Sequence, residues 1–189
     1  VILIGEIRDR ETMSAALAYA QSGHLCLATL HANNSYHALS RILSFYPVEV
    51  RETMLGDLAA ALRAVVSQRL VRTPDGLRVP AVEVMLNTQL VANLIEKGDF
   101  SAVRDAMEKS MAEGSQTFEE ALAMLIVAGT IDRKEGLAHA DSPTNLMWRL
   151  QNEFAGAKPA PAPGSDAKAK AQTAAPGEDE QASFTDIVL

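Results

Sequence analysis

The apolar positions of this chain fall into two rhythms. Val1-Ile2-Leu3-Ile4 and Leu25-Cys26-Leu27-Ala28-Thr29-Leu30 are apolar runs with little alternation, the pattern of parallel strands covered on both faces. Between them, Met13, Ala16, Leu17 and Ala20 recur at three and four from Arg10 to Ser22, and Gly23 supplies the stop. A strand, a helix and a strand joined by a right-handed crossover give parallel strands whose carboxyl ends share one edge. Ala38, Leu39, Ile42 and Leu43 then predict a helix with Ser35 as N-cap, closed at Tyr46-Pro47. A longer amphipathic helix follows, with Val50, Met54, Leu55, Leu58, Leu62, Val65 and Val66 on one face. Its charges, Glu49, Arg51, Glu52, Asp57 and Arg63, suit either solvent or a neighbouring subunit.

Residues 67–73 and 77–86 predict a hairpin, turned by Thr73-Pro74-Asp75-Gly76, with Val82, Val84 and Leu86 alternating on the return. Pro80 places that second strand at an edge. From Asn87 the pattern changes to short punctuated helices: 88–97 stopped by Gly98, and 100–113 stopped by Gly114. A third runs from the capping box Thr117/Glu120 to Gly129, and a last one opens at Ser142-Pro143. These predict a helical bundle appended to the α/β core. Residues 155–182 contain no aliphatic side chain larger than alanine and predict disorder, because they cannot bury enough apolar surface to offset ordering entropy. Ser183 to Leu189 turn apolar again, as a docking peptide or a frayed tail would. The expected division is therefore 1–86, 87–154 and 155–189.

The chemistry gathers where the two apolar runs end. Glu6, with Arg8 and Asp9 behind it, follows the first, and His31-Ala32-Asn33-Asn34 follows the second. Both fall at the carboxyl edge of the sheet, where open α/β folds bind ligands. A carboxylate (Glu6), a hydroxyl (Thr29) and an imidazole (His31) converging there make a candidate hydrolytic site. The composition removes other classes. A net charge of −7 and a pI near 5.1 give no basic footprint, so nucleic-acid binding is not expected. Cys26 sits inside an apolar run and reads as packing rather than a reactive thiol, and a single cysteine forms no internal disulfide. No apolar stretch approaches the ~20 residues that span a bilayer.

Residues 1–9 resemble the Walker B segment of the secretion and pilus ATPases, and Gly23 to Asn34 resemble their histidine box. With Val66-Ser67-Gln68-Arg69-Leu70-Val71, the pattern is most similar to the type IV pilus retraction ATPases, the PilT/PilU family, over residues 1 to about 153. The resemblance implies a partial RecA-like P-loop NTPase sheet, followed by a small C-terminal helical bundle and a disordered tail. It implies that Glu6 polarises the attacking water and that His31 senses the terminal phosphate. It places His24 and Thr29 on the other histidine-box positions, and Arg8 in the family's Gly-Glu-x-Arg-Asp pattern. ATP and Mg2+ are the implied cofactors. A homo-hexamer, or a mixed hexamer with a related retraction ATPase, would work on a pilus inner-membrane platform protein from the cytoplasmic face.

The chain contains no Gly-x-x-x-x-Gly-Lys-Ser/Thr, the loop that cradles the β- and γ-phosphates, and it begins inside a strand. It therefore resembles a C-terminal fragment, and alone it is expected neither to bind ATP tightly nor to hydrolyse it. Assembly and type II secretion ATPases typically carry a four-cysteine zinc motif; its absence here favours retraction. Val91-Ala92-Asn93-Leu94-Ile95-Glu96-Lys97 matches the family's Ala-x-Arg-Asn-Leu-Ile-Arg-Glu motif but lacks both arginines. That departure resembles the PilU branch and leaves an accessory, weakly or non-catalytic role as the alternative to an independent motor.

Overall fold

The computed structural model describes residues 1–110, 112–154 and 184–188, so the disorder expected over 155–182 lies outside the described residues. The chain is a mixed α/β fold. Strand β1 (Ile2–Ile4), helix α1 (Arg10–Gln21) and strand β2 (Cys26–Leu30) form the expected parallel unit, with Ile2 beside Cys26 and Ile4 beside Ala28. Asp9 caps α1 by accepting from the Thr12 N–H at 2.8 Å. Cys26, Ala28 and Leu30 point into a core shared with Met13, Leu39 and Leu58. Burial on both faces holds less well for β1, where Leu3 is 77% exposed on the face away from that core.

Helix α2 (Ser35–Ser44) starts one residue off the expected cap. The N-cap is Asn34, whose side-chain oxygen accepts from the His37 N–H at 2.9 Å, because the Ser35 hydroxyl is turned toward Glu83. Helix α3 (Arg51–Ala61) also ends earlier than its apolar stripe suggests. Leu62 takes an extended ψ of 137°, and the β-branched Val65 and Val66 belong to strand β3 (Ala64–Arg72).

Strand β3 pairs antiparallel with strand β4 (Arg78–Leu86), from Ala64 opposite Leu86 to Arg72 opposite Arg78. The turn between them is closed by the Thr73 N–H on the Leu77 carbonyl, and Gly76 has a φ of +84°. Val82, Val84 and Leu86 alternate along β4 as expected, on its less buried parity. The buried parity is Ala81, Glu83 and Met85, which places a carboxylate inside.

The sheet order is β1-β2-β5-β3-β4, where β5 is Phe184–Val188. Strand β5 is antiparallel to both neighbours, with Ala28 and Val65 each opposite Ile187. Residues 184–188 are thus an internal strand rather than a frayed tail or an outward docking peptide. Strand β4 is an edge, as Pro80 requires.

After the sheet, helix α4 (Gln89–Lys97) is capped by Thr88 and terminated by Gly98 in the left-handed region, φ +69°. The expected helix over 100–113 is a 3-10 turn at Phe100–Ala102 leading into helix α5 (Val103–Ser110). Helix α6 (Phe118–Val127) has the predicted Thr117 cap, and helix α8 (Pro143–Asn152) the predicted Ser142-Pro143 start. Between them helix α7 (Arg133–His139), seven residues long, has no counterpart in the sequence reading. Packing does not divide at 86/87. Val91, Ile95, Val103 and Met107 seal the first core, whereas Phe118, Leu122 and Leu146 form a second one against Val71 and Ala81 of the hairpin.

Candidate active site

The parallel register of β1 and β2 carries Glu6 and His31 out on the same edge of the sheet. Two bonds pin the turn after β1 to β2: the Ile7 N–H donates to the Thr29 carbonyl at 2.9 Å, and the Thr29 hydroxyl donates to the Gly5 carbonyl. Thr29 therefore holds the Glu6 turn in place. The Glu6 carboxylate is engaged at both oxygens. Its Oε1 lies 3.1 Å from His31 Nε2, and its Oε2 lies 2.5 Å from both Nε and Nη2 of Arg8.

The Arg8 hydrogen bond is the main reason the Glu6 carboxyl is held below its usual value, with the charges of Arg8, His31 and Arg41 adding to it. Glu6 is consequently ionised at neutral pH. Arg8 is largely exposed and His31 is 60% exposed, so a ligand arriving at the rim meets both directly. An ionised carboxylate beside an imidazole can accept a proton from, or orient, a water at that edge. Arg8 must swing away before Oε2 is free to do so.

Of the five expected site residues, the fold brings four together: Glu6, Arg8, Thr29 and His31. His24 is not among them. It precedes the five-residue β2 and lies at the amino end, roughly 16 Å from the rim at about 3.3 Å per residue. There its Nδ1 is 3.0 Å from the Ser22 hydroxyl, and it lines a cavity of about 480 Å³ with Gln21 and Arg63. Among the described residues no cluster of three or more His, Cys, Asp or Glu side chains could hold a metal.

The sequence reading missed a buried polar cluster behind the rim. Glu83, 3% exposed, accepts at Oε1 from both the N–H and the hydroxyl of Ser35, each at 2.7 Å. Burial pushes its carboxyl up to about 7, against the opposing pull of the two Ser35 bonds. Arg69 and Asp141 form an ion pair at 2.6 Å beside it. The hairpin register could have disclosed part of this, since a turn between Arg72 and Arg78 sets Ser67 opposite Glu83 on the buried parity.

Residues 1–78 match the family described as Type II/IV secretion system protein. The Pseudomonas aeruginosa type IV pilus ATPase PilU is 50% identical over 152 residues, covering 80% of this chain and 40% of that protein. The chain belongs to the PilT/PilU family of secretion ATPases. The P. aeruginosa retraction ATPase PilT is 33% identical over 77% of this chain and 42% of its own length. A crystal structure of the pilus retraction motor PilT with bound ADP superposes with a TM-score of 0.69 at 31% identity, over 78% of this chain and 41% of that one. This PilT/PilU-family chain thus spans about two fifths of the length of the relatives it matches, and the rim of Glu6 and His31 lies within the part matched by the family.

Proposed function

We propose that a full-length protein carrying this chain is an ATP-hydrolysing motor subunit of type IV pilus retraction. The observation that carries the reading is the Glu6–His31 pair, 3.1 Å apart on the carboxyl edge of a parallel β-α-β unit in a PilT/PilU-family chain. Glu6 is the residue that orients and deprotonates the attacking water. His31 responds to the charge of the terminal phosphate through its contact with Glu6. Arg8 neutralises Glu6 until it is displaced, and Thr29 fixes the turn on which Glu6 stands.

The rim suits one end of a magnesium nucleotide only. A carboxylate and an imidazole fit the reacting phosphate and its water, whereas no residue run here matches the loop that cradles the other phosphates. Magnesium would neutralise phosphate charge in the complete site. Assembly as a homo-hexamer, or a mixed hexamer with a related retraction ATPase, on a pilus inner-membrane platform protein at the cytoplasmic face is part of the same proposal. Its support is the likeness to PilT and PilU.

The test is ATP turnover and pilus retraction by the full-length protein, wild type against Glu6→Ala. Loss of turnover by about a hundredfold or more, with folding intact, is the expected result. Unchanged turnover and retraction in Glu6→Ala, alongside lost retraction on deleting the whole protein, would instead establish a binding subunit. The missing arginines of the Val91–Lys97 motif favour that second reading, and the identity to PilU is the higher of the two compared.

A further inference from the structure

The loop that leaves the rim after His31 is gripped at three successive residues by distant parts of the chain. The Asn33 carbonyl accepts from Arg69 Nη2 at 3.0 Å. Asn34 Nδ2 donates to Asp141 Oδ2 at 2.9 Å while its Oδ1 caps α2. Ser35 donates twice to Glu83. Arg69 is the hub. Its Nη2 also meets Asp141 Oδ1 at 2.6 Å, its Nη1 donates to the His139 carbonyl at 2.6 Å, and its guanidinium carbon lies 3.9 Å from the centre of the Phe118 ring. Each of those further partners belongs to the helical unit α6–α8, which is braced internally by the Ser142 N–H on the Glu119 carboxylate at 2.7 Å.

These contacts differ from an ordinary surface pair. The Arg69 and Asp141 side chains are only 14% and 23% exposed, and a planar guanidinium fixed at both ends and stacked on a ring has one geometry rather than many. Any displacement of α6–α8 against the sheet is therefore passed to Asn33 and Asn34, two and three residues from His31.

We propose that Arg69 and Asp141 are positioning residues that tie the helical unit α6–α8 to the His31 loop, so that the seating of His31 against Glu6 follows the seating of that unit. Neither touches the reacting atoms. The turnover arm of the test rests on the ATPase reading above, and the spectroscopic arm does not.

Asp141→Asn and Arg69→Lys keep approximate shape but remove the charged fork. In the full-length protein each is expected to lower kcat for ATP about tenfold while KM changes less than twofold, since a small misplacement of a catalytic group costs rate more than binding. In the 189-residue chain, the imidazole NMR cross-peaks of His31, assigned by their loss in His31→Gln, are expected to shift in both variants. An unchanged kcat in folded variants, or a rise in KM with kcat intact, overturns the proposal and leaves the Glu6 reading standing, even if the melting temperature falls. Absence of turnover in the parent protein fails the ATPase reading instead, and the NMR arm then decides: unmoved His31 peaks overturn the coupling, shifted ones support it. Should Asp141→Asn fail to fold, Arg69→Lys decides alone.

Discussion

Replacing Glu83 by glutamine keeps the shape of a fully enclosed side chain and removes its ionisation. In the folded chain burial holds the carboxyl at about 7, against an ordinary value of 4.5. Ser35 and Arg69 pull the value down and Asp141 pushes it up, but desolvation dominates. The rise from 4.5 to about 7, at about 1.4 kcal/mol per pH unit, corresponds to ~3 kcal/mol. Across that window the unfolded chain has already released the proton that the folded chain retains. Stability attributable to Glu83 is therefore complete below pH 4.5, declines as pH rises, and levels off above about 7. Glu6 and Asp9, both held below their usual values, slope the opposite way under more acidic conditions and are common to both proteins. Urea unfolding followed by circular dichroism at pH 5 and pH 8 should show wild type losing about 2–3 kcal/mol relative to Glu83→Gln between the two conditions, because part of the effect is already gone by pH 5. A difference between the proteins that does not vary with pH would refute the reasoning, because it would mean that the carboxyl titrates alike in folded and unfolded chains.

The isolated 189-residue chain should show no ATP turnover above buffer in a phosphate-release assay, since most P-loop catalysis is positioning by a loop that this sequence does not contain. Phe118→Ala removes the ring that fills the second core and supports the Arg69 guanidinium; a loss of about 3–5 kcal/mol in chemical denaturation is expected. Gly98→Ala places a side chain at φ +69°, where Leu55 is the near neighbour at 3.5 Å, and should cost about 1–2 kcal/mol from backbone strain rather than crowding.

Where local rules decide the outcome, the elements were legible. The β1-α1-β2 unit, the hairpin turn and the capped starts of α6 and α8 each follow from short-range periodicity and capping chemistry, and the Glu6–His31 approach follows from strand direction alone. What was hidden depends on register and distance. A helical stripe and a strand share apolar residues at Val65 and Val66, and only pairing with β4 and β5 selects the strand. Glu83 reads as a surface residue until the hairpin register turns it inward. Arg69 and Asp141 are separated by 72 positions, and nothing in the spacing announces their contact. His24 was grouped with His31 by motif, yet a strand between them puts the two imidazoles at opposite ends of the sheet. Cys26, read as packing, is fully enclosed.

The two margins of the sheet are not equivalent. On β4, Pro80 has no amide hydrogen to offer, Val84 exchanges both of its backbone groups with Gln116, and the Gln116 side chain occupies the Val82 carbonyl at 2.7 Å. That border is closed to any incoming strand. The three residues of β1 pair only with β2 among the described residues, so lateral growth of this sheet, whether by more of a longer polypeptide or by another molecule, has a single direction open to it, past Leu3.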